Sequence, residues 1–330
     1  MVANLTTRLG QLTSTPAGGP YVGKNRIING NAAIDQRNAG ASQTFTAAAA
    51  VAYCVDRFYA SCTGANITGQ QVAGTAPYQY AYKFTGATSN TATLFGQRIE
   101  SLNIADLVST TVTGQAQIAS STITTVTWTA YYANTTNTFS AKTSIATGTI
   151  TINSTPTIYT FSFNAGSSAA NGVAIEFTTG ALVSAATLQY SGVQLEAGTI
   201  ATPYEFNQYP TQLAQCQRYY EKSFPISTAP AAGLAATQLA GTAQSSTDIV
   251  LSTPFKVTKR TTPTIVFYRS NAQTGTDTNW NYYNGSAYVN ASTATNALND
   301  NTLGVDIGTT SLTNGYSYKA SGNWTADAEL

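Results

Sequence analysis

Histidine is absent from this chain of 330 residues. Without it there is no Ser-His-Asp triad and no histidine zinc site, and the commonest general base is lost. Charge is scarce as well. Asp, Glu, Lys and Arg make up only 9% of residues, against about a quarter in an average domain. Net charge is +1, with Lys and Arg scattered. No basic stripe exists to hold a phosphate backbone, so nucleic acid is not an expected partner. Cysteine is limited to Cys54, Cys62 and Cys216, without CxxC spacing. Such an odd set fits buried thiols made in a reducing cytosol better than a disulfide framework, with a Cys54–Cys62 bridge as the alternative. The longest apolar run, Ala47 to Val55, is far too short to span a bilayer. The opening residues carry no apolar core of signal-peptide length, so the expectation is a soluble chain with no export signal and no membrane insertion.

What remains is hydroxyl, amide and aromatic. Hydrophobic residues make up 42%, including 20 Tyr, and Gly is frequent with 26 copies. Thr and Tyr favour strands, while Gly and Asn favour the turns between them. From Asn25 to Gly192 short strand-like runs recur at even spacing, among them YCVDRFY, YQYAYKF, TITTVTWTAYYA and TIYTFSFN. None shows helical periodicity. The pattern predicts an all-β chain whose residues 25–208 form a β-sandwich of two packed antiparallel sheets. The stripe Tyr78, Tyr80, Tyr82 and Phe84 reads as its core. Residues 224–330 read as a second, smaller β-sandwich, with a hairpin at Tyr283-Asn284-Gly285-Ser286 and a last strand in SGNWTADAEL.

Between the two blocks lies the most informative run, Val193 to Lys222. Val193 and Leu195 alternate with Gln194 and Glu196 like a half-buried strand. Gly198 breaks that strand, and Pro203 pushes Thr202 towards extended geometry. Leu213, Cys216 and Tyr220 then fall at helical spacing, with Pro210 in the first turn, predicting a short connecting helix within 209–223. At the other end, residues 1–24 are polar and rich in Pro and Gly, and read either as an anchoring arm or as a disordered tail.

Several of these motifs, in order, resemble a family of bacteriophage tail-fibre proteins with a carbohydrate-binding-module-like jelly roll. They are NRIINGNAAIDQRNAGAS, YCVDRFY, Gln97-Arg98-Ile99-Glu100, VQLEAGTIATPYEFNQYPTQLAQCQRYYEKS and the closing WTADAEL. The resemblance covers roughly residues 25–330. It implies a jelly roll, a C-terminal β domain and a homotrimeric, fibre-like assembly. The family carries Trp where this chain has Phe58, and an SFW strand where it has Val126 to Tyr131 with Trp128. These departures keep the jelly roll but blur any ligand site built on the missing aromatics.

Carboxylate pairs could serve glycoside hydrolysis. Glu196 with Glu205, and Asp35 with Asp56, are the nominal pairs, and a role as hydrogen-bonded fixtures of the junction is favoured over catalysis. No β-helix repeat of a depolymerase is present. Asp300 and Asp306 lack calcium-loop spacing, so no metal or other cofactor is expected. Saccharide recognition needs aromatic faces and amides. Trp280, Tyr282, Tyr283 and Tyr288, flanked by Asn279, Asn281 and Asn290, offer both, unless they pack inside the domain or between subunits. Leu213, Cys216 and Tyr220 are the expected seam of a trimer, with Arg218 and Lys222 towards solvent.

Together these features predict a non-enzymatic tail fibre of the virion, assembled in the host cytoplasm. It would be anchored to other virion proteins through residues 1–24 and would contact host-surface polysaccharide through its distal β domain. The alternatives are a capsid-decorating or purely structural tail protein, and a glycan-degrading tailspike.

Overall fold

The computed structural model describes residues 23–236, 238–272 and 278–330. The expected anchoring arm therefore lies outside the described residues, apart from Gly23 and Lys24. The first block runs through β1 (Gln43–Phe45), β2 (Ala52–Tyr53), β3 (Phe58–Thr63), β4 (Ile67–Ala73), β5 (Tyr80–Thr85) and β6 (Ala92–Ile99). It continues with β7 (Thr111–Ser120), β8 (Thr125–Thr135), β9 (Thr138–Thr151), β10 (Thr157–Asn164), β11 (Val173–Thr179) and β12 (Thr187–Ala197). One sheet has the order β1-β4-β5-β12-β7-β10 and the other β2-β3-β6-β11-β8-β9. Their pairings are antiparallel, giving a jelly-roll β-sandwich.

Period-2 alternation sends Phe45, Tyr82, Phe84, Phe95 and Tyr190 into the space between the sheets. Phe95 stacks on Phe58 at 4.6 Å and on Tyr190 of the opposite sheet at 4.9 Å. Trp128 of β8 stacks on Phe161 of β10 at 4.5 Å, closing the other end. Each such pair contributes about 0.5–1.5 kcal/mol beyond its burial. Tyr82 and Phe84 of the aromatic stripe are core residues, as the pattern indicates.

β12 departs from its sequence reading. Leu188 and Tyr190 point inward, but so do Val193 and Leu195, so the parity changes by one residue. The change is a β-bulge between Ser191 and Gln194, with Gly192 at φ +58°. A Cβ on Gly192 would lie 2.1 Å from the Tyr78 ring, so glycine is required twice over. Beyond the bulge the strand is not half-buried. Its outer residues, Gln194 and Glu196, are covered as well. Arg26 N–H donates to Leu195 O at 2.8 Å and Val193 N–H to Gly30 O at 2.9 Å, so residues 25–30 run alongside the strand.

A nine-residue helix, α1 (Tyr209–Gln217), follows, with Pro210 in its first turn as expected. It stops before Tyr220, which instead begins β13 (Tyr220–Lys222) and pairs with Asp327. β13 thus belongs to the second domain's sheet. The other strands there are β14 (Gln238–Ala243), β15 (Asp248–Pro254), β16 (Thr264–Arg269), β17 (Asn281–Tyr283), β18 (Tyr288–Asn290), β19 (Ser292–Leu298), β20 (Thr302–Gly308) and β21 (Ser317–Asp327). β21 is their spine: its first half pairs with β14 and β17, its second half with β16 and β13. Leu251, Phe267, Trp280, Val305 and Trp324 pack beneath.

The expected trimer seam is corrected by this arrangement. Cys216 is fully buried and Tyr220 nearly so within one chain, and only Leu213 is partly open. Lys222 is also buried, its ammonium donating to Ile226 O at 3.0 Å and Thr228 O at 2.7 Å. Arg218 forks onto Glu100 with contacts of 2.9 and 3.2 Å. Arg218 thus ties the helix end to the jelly roll, while Lys222 fixes the loop that follows it.

Residues 327–330 complete that joint. Arg37 reaches Asp327 at 2.9 Å and Glu329 at 3.3 Å. Glu329 also pairs with Arg57, their side chains 4% and 1% exposed, and Arg57 lies 3.4 Å over the Tyr219 ring. Arg260 donates to Ala328 O and Glu329 O at 2.9 Å each, and Tyr53 and Arg98 donate to Leu330 O. Removing one partner of a buried ion pair costs about 3–5 kcal/mol, because the other is left uncompensated. Glu329→Ala is therefore expected to lower unfolding stability in urea by about 3 kcal/mol. A loss below about 1 kcal/mol, the range of an exposed pair, would show that this contact is solvated.

Candidate functional site

The aromatic hairpin expected to hold sugar is mostly an inner wall. Trp280 is fully buried, its indole N–H donating to Asn323 O at 3.0 Å and its ring edge-on to Phe267 at 5.6 Å. Tyr282 is also buried, packed on Tyr318. Alternation along β17 explains this: Trp280 and Tyr282 share the inward face, and Tyr283 takes the outward one. Only Tyr283, with its cross-strand neighbour Tyr288 at 5.4 Å, reaches the surface. The turn is a four-residue loop, Asn284 to Ala287. Asn284 Oδ1 accepts the Ser286 and Ala287 N–H groups, and positive φ occurs at Gly285 rather than at both central residues.

The carboxylate pairs are occupied. Glu196 accepts from Gln194 Nε2 at 2.9 Å, Thr202 N–H at 2.7 Å and Thr202 Oγ1 at 2.7 Å. Glu205 accepts the N–H groups of Gly23 and Asn25, the latter at 2.9 Å. Asp35 caps its own loop through Asn38 and Gly40. Asp56 binds the Gln36 N–H and side-chain amide. All three cysteines are free and buried. Among the described residues no group of three Cys, Asp or Glu could hold a metal ion, and no helix is long and apolar enough to cross a membrane.

Burial pushes the Asp56 carboxyl up to about 6, against the opposing pull of Gln36 and Arg37. Such a value suits an acid catalyst, but Asp56 is completely buried and reaches no substrate. Its effect is on stability. A folded-state value raised above the ordinary 3.8 gives a contribution fully present below that pH and lost as pH rises through about 6. Asp56→Asn removes the titration. Between pH 4 and pH 6 its stability relative to the parent chain should climb by on the order of 2 kcal/mol. Parallel stability curves would refute the assignment.

The open site lies instead at the foot of the Val193–Lys222 run, in a cleft of about 540 Å³. Three rings line it: Tyr80, Phe206 and Tyr209. Phe206 rests on Tyr204 at 4.8 Å and on Tyr78 at 5.9 Å, yet it is 53% exposed, and Tyr209 is 50% exposed. These supports hold Phe206 as a rigid platform. Four amides, Asn31, Gln79, Asn207 and Gln212, line it as well, with Ala33 and Pro77. Gln212 Nε2 donates to Asn31 Oδ1 at 2.7 Å and more weakly to Asn29 Oδ1 at 3.3 Å. That bond fixes both amides and turns their remaining donor and acceptor atoms free. The sequence signal was present, as two large rings in a Pro-rich, otherwise polar segment, but the segment's neighbours Asn31 and Tyr80 are remote in sequence.

A second cleft of about 420 Å³ lies on the other side of α1, lined in part by Arg26, Leu102, Asp106 and Arg218. Its two arginines are engaged, Arg26 with Asp106 and Arg218 with Glu100.

No family model matches the chain, and no curated protein matches it. Among solved structures the chain is similar to the enzymatically active domain of bacteriophage CBA120 tailspike protein 4. Identity there is 13%, covering 53% of this chain and 22% of that chain, with a TM-score of 0.33. A putative sugar binding protein from Bacteroides thetaiotaomicron is matched over its full length, covering 53% of this chain at 12% identity and a TM-score of 0.35. A structure titled "CBM4 structure and function" aligns over 52% of this chain and 98% of its own, at 14% identity and a TM-score of 0.28.

Proposed function

We propose that this chain is a non-enzymatic, glycan-binding protein of a bacteriophage virion, a tail fibre that touches its host through the jelly roll. The observation that carries the binding half is the Phe206–Tyr209 cleft. Sugars present apolar C–H faces that stack on exposed rings and hydroxyls that need both donors and acceptors. The cleft offers two half-exposed rings on a fixed base and amides with atoms of both kinds unspent. The contact thus moves from the distal hairpin, whose Trp280 and Tyr282 are inside, to the domain junction. The occupied carboxylates support binding without hydrolysis. The virion half rests on the sequence resemblance, as do homotrimeric assembly and attachment to other virion proteins through residues 1–24.

Each ring would lose about 1–2 kcal/mol of contact on truncation. Phe206→Ala combined with Tyr209→Ala is expected to weaken binding to immobilised host polysaccharide by about tenfold or more, with the unfolding transition little changed. Unaltered binding by the double variant would remove the cleft from the function. Antibody labelling of particles tests the virion half, and labelling confined to the capsid would favour the decorating alternative.

A further inference from the structure

We propose that the Phe206–Tyr209 cleft takes an uncharged saccharide, a chain of neutral hexose or pentose units, and rejects uronic, sialic and sulfated sugars. The inference rests on the reading of this cleft as the glycan site and adds the class of ligand.

The lining contains no Lys, Arg, Asp or Glu. A carboxylate or sulfate pressed against it would lose water and meet no cation, an unfavourable exchange unless the charge is paired. The charged side chain felt at Tyr209 is an acid. Burial raises the Tyr209 hydroxyl, and the buried Asp56 carboxylate adds to the rise, with smaller influences from Cys216 and Tyr80. The arginines around Asp56 offer no compensation to a ligand: Arg37 is committed to Asp327 and Glu329 and stacks on Tyr220 at 3.8 Å, and Arg57 is paired with Glu329 over the Tyr219 ring. Nor does the neighbouring cleft supply a free cation for an acidic sugar, since Arg26 and Arg218 already face Asp106 and Glu100.

The amides point the same way. Gln212 Nε2 is spent on Asn31 Oδ1 and Asn29 Oδ1, leaving Gln212 Oε1 as an acceptor and Asn31 Nδ2 as a donor. Asn207, on the rim, makes no hydrogen bond within the described residues and contributes one group of each kind. A hydroxyl both donates and accepts, so it matches this mixed set, whereas a carboxylate only accepts and would waste the acceptors. Binding built this way gains nothing from long-range Coulomb attraction and should ignore salt.

Calorimetric titration of the whole chain tests this with neutral polymers (dextran, mannan, galactan, arabinan) and acidic ones (alginate, polygalacturonate, heparin). It is run at about 20 mM and about 500 mM NaCl, where the Debye length falls from roughly 20 Å to roughly 4 Å. The expected result is a neutral binder whose Kd changes less than about twofold between the salts and rises about tenfold or more in the Phe206→Ala, Tyr209→Ala variant, with acidic polymers about tenfold weaker or silent. An acidic polymer that binds best, loses affinity in high salt and is lost in the ring variant would overturn the neutral class while keeping the cleft as the glycan site. No binding by any polymer, or binding indifferent to the ring variant, would overturn the site reading and this inference with it.

Discussion

The buried ion pair between Arg57 and Glu329 is the contact on which the two-domain arrangement depends. It joins a turn of the jelly roll to the residues just past β21, across 272 positions of sequence. Neither charge is stable in that place alone. The other contacts complete the set, with Arg37 bridging Asp327 and Glu329, Arg260 holding two carbonyls, and Tyr219 lying under Arg57. Buried pairs of this kind contribute little net stability compared with apolar packing, but they are intolerant of any other docking pose. The joint therefore sets orientation, and the aromatic cores set stability.

That division of labour accounts for the odd composition. Charges are few, and four of the chain's 15 basic residues converge on residues 327–330. With so many ions used internally, the outer surface is left to hydroxyls, amides and single exposed rings. The Phe206–Tyr209 cleft is one patch of that surface, and α1 places it directly beside the joint.

Much of the fold was legible because strand alternation is a local property. The runs around Phe58, Tyr82, Trp128 and Phe161 state their inward faces outright. Even the bulge in β12 is written as the parity change from Tyr190 to Val193, with a glycine between. What could not be read was what covers each face. Gln194 and Glu196 look like solvent-facing residues until residues 23–30 and 199–206 are laid over them. Trp280 and Tyr282 look like a sugar platform until β21 closes behind them. The spacing of Leu213, Cys216 and Tyr220 imitates one helix face, although the last of the three is a strand residue held by Asp327. Glu196 and Glu205 accept N–H groups of Thr202, Gly23 and Asn25, the acceptors that a turning Gly-Pro segment and the chain laid over it need. The cleft itself escaped because Asn31, Tyr80 and Phe206 meet only in three dimensions.

The central place of β21 has a consequence for how the protein is made. β13, β14, β16 and β17 all precede β21 in the chain, and each needs it as a hydrogen-bonding neighbour. During synthesis the jelly roll has every one of its strands before residue 200 and is free to fold as the ribosome moves on. The second sheet receives its central strand last. Until β21 has been made, β13 and β16 have no strand to pair with, and this non-local closure comes late.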